Sequence, residues 1–240
     1  VVALVLFSVA VFAVPEGPET IGRGTSERRT TASSGSLQEA AAGNMTSLNI
    51  NNTAITTRWQ GYYGNVTGTI TLDDASNNTL YNWQLVSPQG EIYAANESTV
   101  TWTRTTCFNY TNNLSDGIAY VQAFNGTDLE RMIGANIGDR DSANSTFNAT
   151  FAGTFQVGST TISSTSGCRQ TTLFVNDQYQ TTDFVEVLLT DKSSIIYTAL
   201  LEQDVDGFQT GSSTLDFELI VGENGDTTAA TNYYFFVELT

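Results

Sequence analysis

The side chains able to do chemistry here are carboxylates, two cysteines and a series of asparagines; there is no histidine. Without an imidazole the chain lacks the usual general base, the Ser-His-Asp triad and the commonest zinc ligand. It also lacks a P-loop, a dinucleotide fingerprint and a Gly-x-Ser-x-Gly elbow. Paired carboxylates remain, because a glycosidase needs only two. The candidates are Asp73, Asp74, Glu202, Asp204 and Asp206, but Asp73-Asp74 opens a turn and Asp204-Val205-Asp206-Gly207 reads as a loop. The expectation is no catalytic residue and no enzyme.

The same loops raise calcium, a hard cation that takes oxygen ligands. Asp204-Val205-Asp206-Gly207 resembles a fragment of an EF-hand loop whose other ligand positions are missing, and Glu223-Asn224-Gly225-Asp226 is no more specific. Solvated turn residues are the default, so no cofactor or metal is expected. Trp59, Tyr62, Tyr63 and Trp83 are candidates for sugar stacking, against the ordinary role of strand aromatics as core.

Cys107 and Cys168 have no metal-ligand spacing. They suit a disulfide in an oxidising compartment, and the loop it closes would be worth about 4 kcal/mol in the chain-entropy model. Glycosylation sequons point the same way. They occur at Asn44, Asn51, Asn65, Asn77, Asn96, Asn109, Asn113, Asn125, Asn144 and Asn148, with none in the final ninety residues. Each acceptor must face solvent to carry an N-linked glycan, so this region is expected to look outward from an exported protein. A formal charge of −16, from 25 acidic against 9 basic residues, excludes a nucleic-acid groove, which needs clustered cations. It disfavours anionic lipid surfaces too.

The elements that carry these residues follow an apolar run over residues 1–14, uncharged and free of Gly and Pro, that stops at Pro15-Glu16-Gly17-Pro18. Three readings fit it. As a signal peptide it has the right length and ends near Val11-Phe12-Ala13. As a retained helix it would be roughly 21 Å long, short of the ~30 Å hydrocarbon core, so it suits a filament axis better than a bilayer. As a donated strand it is rich in valine and apolar on both faces. Periodicity does not separate helix from strand. Retention is the adopted expectation, with Val1, Val2, Leu4, Val5, Leu6, Phe7, Val9, Val11 and Phe12 as assembly residues.

Residues 15–43, rich in Ser, Thr, Gly and Pro, read as a linker. From residue 44 to 240 the texture is strand-like, in one domain or two packed halves. Strands are expected at 46–50, 54–59, 66–72, 79–86, 91–94, 99–103, 150–157, 173–175, 184–189, 195–201, 215–221 and 233–239, with an aromatic turn at 60–65 and a short helix at 128–133 after Thr127. This indicates a mainly β protein, an antiparallel sandwich of Ig-like or jelly-roll-like type. The apolar 232–239 segment is either a central strand or an edge completed by a partner.

Residues 59–74 (WQGYYGNVTGTITLDD), 80–83 (LYNW) and 87–94 (SPQGEIYA) resemble a recurring signature of secreted archaeal surface glycoproteins. The closing 216–221 (DFELIV) and 233–239 (YYFFVEL) are similar to their C-terminal ends, so the resemblance spans most of 44–240. It implies an archaeal cell-surface location and no assigned activity. The 1–14 run resembles archaeal pilin-type and donor-strand filament subunits only in architecture. The combined expectation is a structural subunit of an extracellular, pilus-like homopolymer, meeting other copies of itself through the run and touching a membrane only before assembly. The alternative is a monomeric wall-associated glycoprotein or adhesin whose residues 1–13 are a signal peptide.

Overall fold

A computed structural model of the chain describes residues 14–29, 35, 37–84, 89–108, 126–136, 138–211, 213–225 and 230–240. All the assembly residues of the 1–14 run lie outside it, and only Val14 of the run is described. The described chain is mainly β, and every named strand pairing is antiparallel.

In chain order the strands are β1 (Trp59–Gly64), β2 (Thr69–Asp73), β3 (Thr79–Gln84), β4 (Gly90–Ala95), β5 (Thr106–Cys107), β6 (Ala149–Thr150), β7 (Thr154–Val157), β8 (Thr160–Ser163), β9 (Arg169–Thr172) and β10 (Val185–Thr190). They continue as β11 (Ile195–Leu200), β12 (Val205–Asp206), β13 (Thr214–Leu215), β14 (Phe217–Gly222) and β15 (Tyr234–Leu239), with short helices α1 (Gly126–Met132) and α2 (Ala143–Thr146). A central sheet runs β15-β4-β11-β10-β9-β6, with β5 also paired to β10. Two-stranded ribbons β1–β14, β2–β3, β7–β8 and β12–β13 complete the set.

The central strands β4, β10 and β11 are apolar at successive positions, as strands buried on both faces must be. On one face Ala94, Leu188, Ile195, Tyr197 and Ala199 pack with Leu219 and Val221 of β14, Leu129 and Ile133 of and beside α1, and Phe147 after α2. On the other, Tyr93, Ala95, Val187, Leu189 and Ile196 meet Phe155, Val157 and Ile162 of the β7–β8 hairpin. The period-two alternation sorts each strand between two cores.

Several local expectations change. The 60–65 segment is strand rather than turn, because β14 supplies a partner from Trp59↔Gly222 to Gly64↔Phe217. Residues 99–103 instead hold a 3-10 turn, Trp102–Arg104, and 46–56 runs without strand pairing. Residues 173–175 give only the Val175↔Gln178 bridge. The helix near 128 starts at Gly126, so Thr127 lies inside it and is not its cap. The closing β15 is an edge strand, bridged on its far side by Glu16 through Glu16 N–H to Val237 O (3.0 Å) and Val237 N–H to Glu16 O (2.8 Å). Pro15 is buried there, so the stretch read as linker begins docked on the sheet.

Gly90 opens β4 with φ +128°, a region that favours glycine. A Cβ there would stand 1.9 Å from the Glu238 carbonyl oxygen, which is backbone and has little room to yield. Gly90→Ala is therefore expected to cost about 3 kcal/mol or more, read as a fall in the urea midpoint with circular dichroism.

Candidate functional site

Cys107 and Cys168 form the expected disulfide, with Cα atoms 4.7 Å apart. Cys107 is held by β5 opposite Leu189 of β10. Cys168 is fully buried in the core beneath the β7–β8 hairpin, and its carbonyl accepts Phe151 N–H at 2.9 Å. The bridge ties the edge of β10 to the approach to β9 across 61 residues.

Seven of the ten sequon asparagines are described. Asn44, Asn51, Asn65, Asn77 and Asn148 are exposed, while Asn96 and Asn144 are half-buried. Asn96 Oδ1 accepts Ile195 N–H at 3.0 Å. Asn148 Nδ2 donates to Ser145 O at 3.0 Å. Asn77 has φ +62° in the β2–β3 turn. Asn109, Asn113 and Asn125 lie outside the described residues.

The carboxylates singled out from sequence do not converge. Asp74 Oδ1 accepts Ser76 N–H (2.8 Å) and Asn78 N–H (2.9 Å), and Oδ2 accepts Asn78 Nδ2 (2.8 Å). Those bonds hold its pKa below the usual value in a self-contained turn. Asp73 accepts from Thr71. Glu202 accepts Phe184 N–H, and Asp206 accepts from Asn176 Nδ2. Asp204 has φ +53°. Among the described residues no group of three or more Asp, Glu or Cys side chains is placed to hold a metal ion.

The aromatics divide. Trp59 is core, donating Nε1–H to Asp141 O at 2.8 Å and stacking near Phe147 and Tyr197. Tyr62 packs edge-on against Phe235. Tyr63 and Trp83 are more than half or half exposed, at 56% and 50%.

Four further carboxyls come from glutamates inside apolar strands, of which only Glu91 and Glu238 pair: Glu91 in GEIYAA, Glu186 in VEVLLT, Glu218 in FELIVG and Glu238 in YFFVEL. All four are buried. Glu91 and Glu238 face each other across β4 and β15, on the same sheet face as Tyr93. Tyr93 O–H donates to Glu238 Oε2 at 3.0 Å, and Gly158 N–H donates to both Glu238 oxygens at 3.1 Å. Burial, and then the charge of Glu238, pushes Glu91 up to about 8. Burial also raises Glu238, against the opposing bonds from Gly158 and Tyr93. One carboxyl of the pair thus keeps its proton at neutral pH, as two close carboxyls in a dry site must. Glu91 Oε2 has no hydrogen-bond partner among the described residues, which suits the neutral acid.

Glu186 sits under β14, where its Oε2 accepts Ile220 N–H at 2.9 Å, and burial raises it well above the usual range. Glu218 accepts Phe208 N–H at 2.7 Å and is raised by burial to about 7. Asp191 goes the other way. Burial raises it, but donors from Thr101, Ser193 and Ser194 outweigh that and lower it while closing the β10–β11 hairpin. The Glu91–Glu238 pair can hold a proton, yet Glu91 is 6% and Glu238 1% exposed, which keeps it from solvent. Its role is in stability.

None of these four glutamates stands out in the sequence. The available signal was a lone Glu within an otherwise apolar strand, which reads as solvent-facing until both faces of the sheet are known to be covered.

A carboxyl whose folded pKa is raised stabilises the fold fully below its unfolded value, near 4.5, and loses that stability as pH rises through the folded value. Stability should therefore fall between about pH 5 and pH 8, with Glu91 alone accounting for about 3–5 kcal/mol. Glu91→Gln, an uncharged isostere, should flatten that decline and raise Tm at pH 8 by about 5–10 °C, as read by calorimetry from pH 4 to 8. Reducing the Cys107–Cys168 bridge should cost about 2–5 kcal/mol at any pH in that range, measured as the shift in denaturant midpoint with and without a thiol reductant. Compared with known proteins, the chain matches no family model, no curated protein and no solved structure.

Proposed function

We propose that the chain is a structural subunit of an extracellular, pilus-like filament of archaeal type, polymerising through the apolar run of residues 1–14 with a glycosylated β-domain outside. The observation that carries this reading is the Glu16↔Val237 bridge. It fastens the chain immediately after the run to the outer edge of β15, so the run leaves a rigid sheet edge rather than the end of a loose tether. A bare apolar edge invites pairing with another chain, and here the chain bringing the run is already aligned with that edge.

Other features support the same reading. The disulfide suits an oxidising exterior, and five sequon asparagines are exposed for N-linked glycans. The buried neutral carboxyls favour a fold that tolerates acid, which suits a protein outside the buffered cell interior. In this proposal the β1–β14 ribbon facing the central sheet across a shared core is the sandwich expected from sequence. No catalytic or cofactor role is assigned.

Gross burial of a mainly apolar fourteen-residue run is worth on the order of tens of kcal/mol at about 25 cal/mol per Å², ample for a durable polymer after ordering costs. Val5→Asp should abolish filaments in electron micrographs of the native extracellular fraction while leaving the circular dichroism of the β-domain unchanged. Filaments persisting in that variant would sink the polymerisation role. A dispersed native protein lacking residues 1–13 would instead identify the run as a signal peptide and favour the adhesin.

A further inference from the structure

The β2–β3 ribbon is an arm. Every residue of both strands is exposed, and among the described residues the ribbon hydrogen-bonds to no other strand. Its register pairs Ile70 with Trp83 and Leu72 with Tyr81, so these four side chains share one face. The opposite face carries Thr69, Thr71, Asn82, Gln84 and Leu80. The apolar four remain 40–59% exposed, and Tyr81 and Trp83 cover one another only edge-on, at 4.9 Å between ring centroids. A two-stranded ribbon is marginal in water without something against its apolar face, and a contiguous apolar face of this kind marks an interaction site.

The arm springs from the corner where the apolar run departs. Gly68, just before β2, lies so close to Leu239 that a Cβ there would strike the leucine Cδ1. Val66 N–H donates to Asp216 Oδ2 at 2.7 Å and fixes the arm's base. The Glu16↔Val237 bridge is antiparallel, so the chain preceding Glu16 runs toward the Leu239 end of β15. Extended at about 3.3 Å per residue, thirteen residues span roughly 43 Å, more than twice the roughly 17 Å of a five-residue strand. Charge selects the same occupant. In a chain of net −16 most surfaces repel one another, whereas residues 1–13 and the Ile70/Leu72/Tyr81/Trp83 face are both uncharged.

We propose that the apolar face of the β2–β3 arm is the seat of residues 1–13, the run packing over Ile70, Leu72, Tyr81 and Trp83. That the run comes from a neighbouring copy rests on the filament reading above; that it covers this face does not.

The test is a benzophenone photoprobe in place of Trp83 in the full chain, with the same probe at Asn82 on the polar face as control, followed by peptide mapping. Cross-links from position 83 to residues 1–13 of another copy, at least tenfold above those from position 82, support both the seat and the filament. Cross-links to residues 1–13 of the same copy alone support the seat and overturn the filament reading. Filaments that form while position 83 captures no peptide of the run overturn the seat and leave the filament standing. A mature chain without residues 1–13 overturns both. As a second measure, Leu72→Asp should lose at least tenfold in polymer fraction while keeping the pH-dependent Tm of the β-domain; unchanged polymer would count against the seat.

Discussion

The structure depends on one constraint: the central strands β4, β10 and β11 are apolar on both faces, so neither face of their sheet can meet water. A sheet of that kind is stable only between two coverings. The β1–β14 ribbon and the two short helices answer on one side, and the β7–β8 hairpin on the other. The disulfide then joins β5, at the β10 edge, to the segment that enters β9. Contacts such as the Arg58 pairing with Asp139 (2.8 Å) and Asp141 (2.6 Å) add position more than energy, since these groups are only partly buried.

Double coverage also explains why the chain buries acids. A glutamate in a strand with one wet face turns toward water, but here neither direction is wet. Glu91 and Glu186 of the central strands therefore stay inside, and like the buried Glu218 and Glu238 they meet the cost of desolvation by holding protons or accepting backbone N–H bonds. Other buried acids close turns and helix starts by accepting backbone N–H bonds. Asp191 gathers donors that close a hairpin, and Glu130 accepts Ala143 N–H and Asn144 N–H at the start of α2. The chain thus uses one residue class for two ends, separated by whether enough donors surround the carboxyl.

What the sheet leaves exposed is as informative as what it buries. β15 lies at an edge and among the described residues is bridged on its outer side at Val237, by the backbone of Glu16. Near its C-terminal end stands the base of an arm whose apolar face has no cover from the described chain. A molecule whose core is complete has no need of that face for its own folding. The exposed edge, the base of the arm and Pro15 lie together at one corner, and the exposed sequons are spread along residues 44–148.

The sequence by itself determined the β character and offered Cys107 and Cys168 as a pair, because strand periodicity and the presence of just two cysteines are carried in the residues themselves, but which strands are central was decided by the sheet order. It did not disclose which way Glu91 or Glu238 points, because alternation within one strand is silent about whether a second layer covers the outer face. Nor did it distinguish Trp59, which is core, from Trp83, which is exposed, since both sit in alternating strands of similar texture. The 60–65 stretch read as a turn from its glycines and became a strand because β14, more than 150 residues later, offered it a ladder. Those outcomes belong to tertiary structure. Whether a side chain is wet depends on what packs over it, and for Trp59, Glu91 and Glu238 that partner comes from far along the chain.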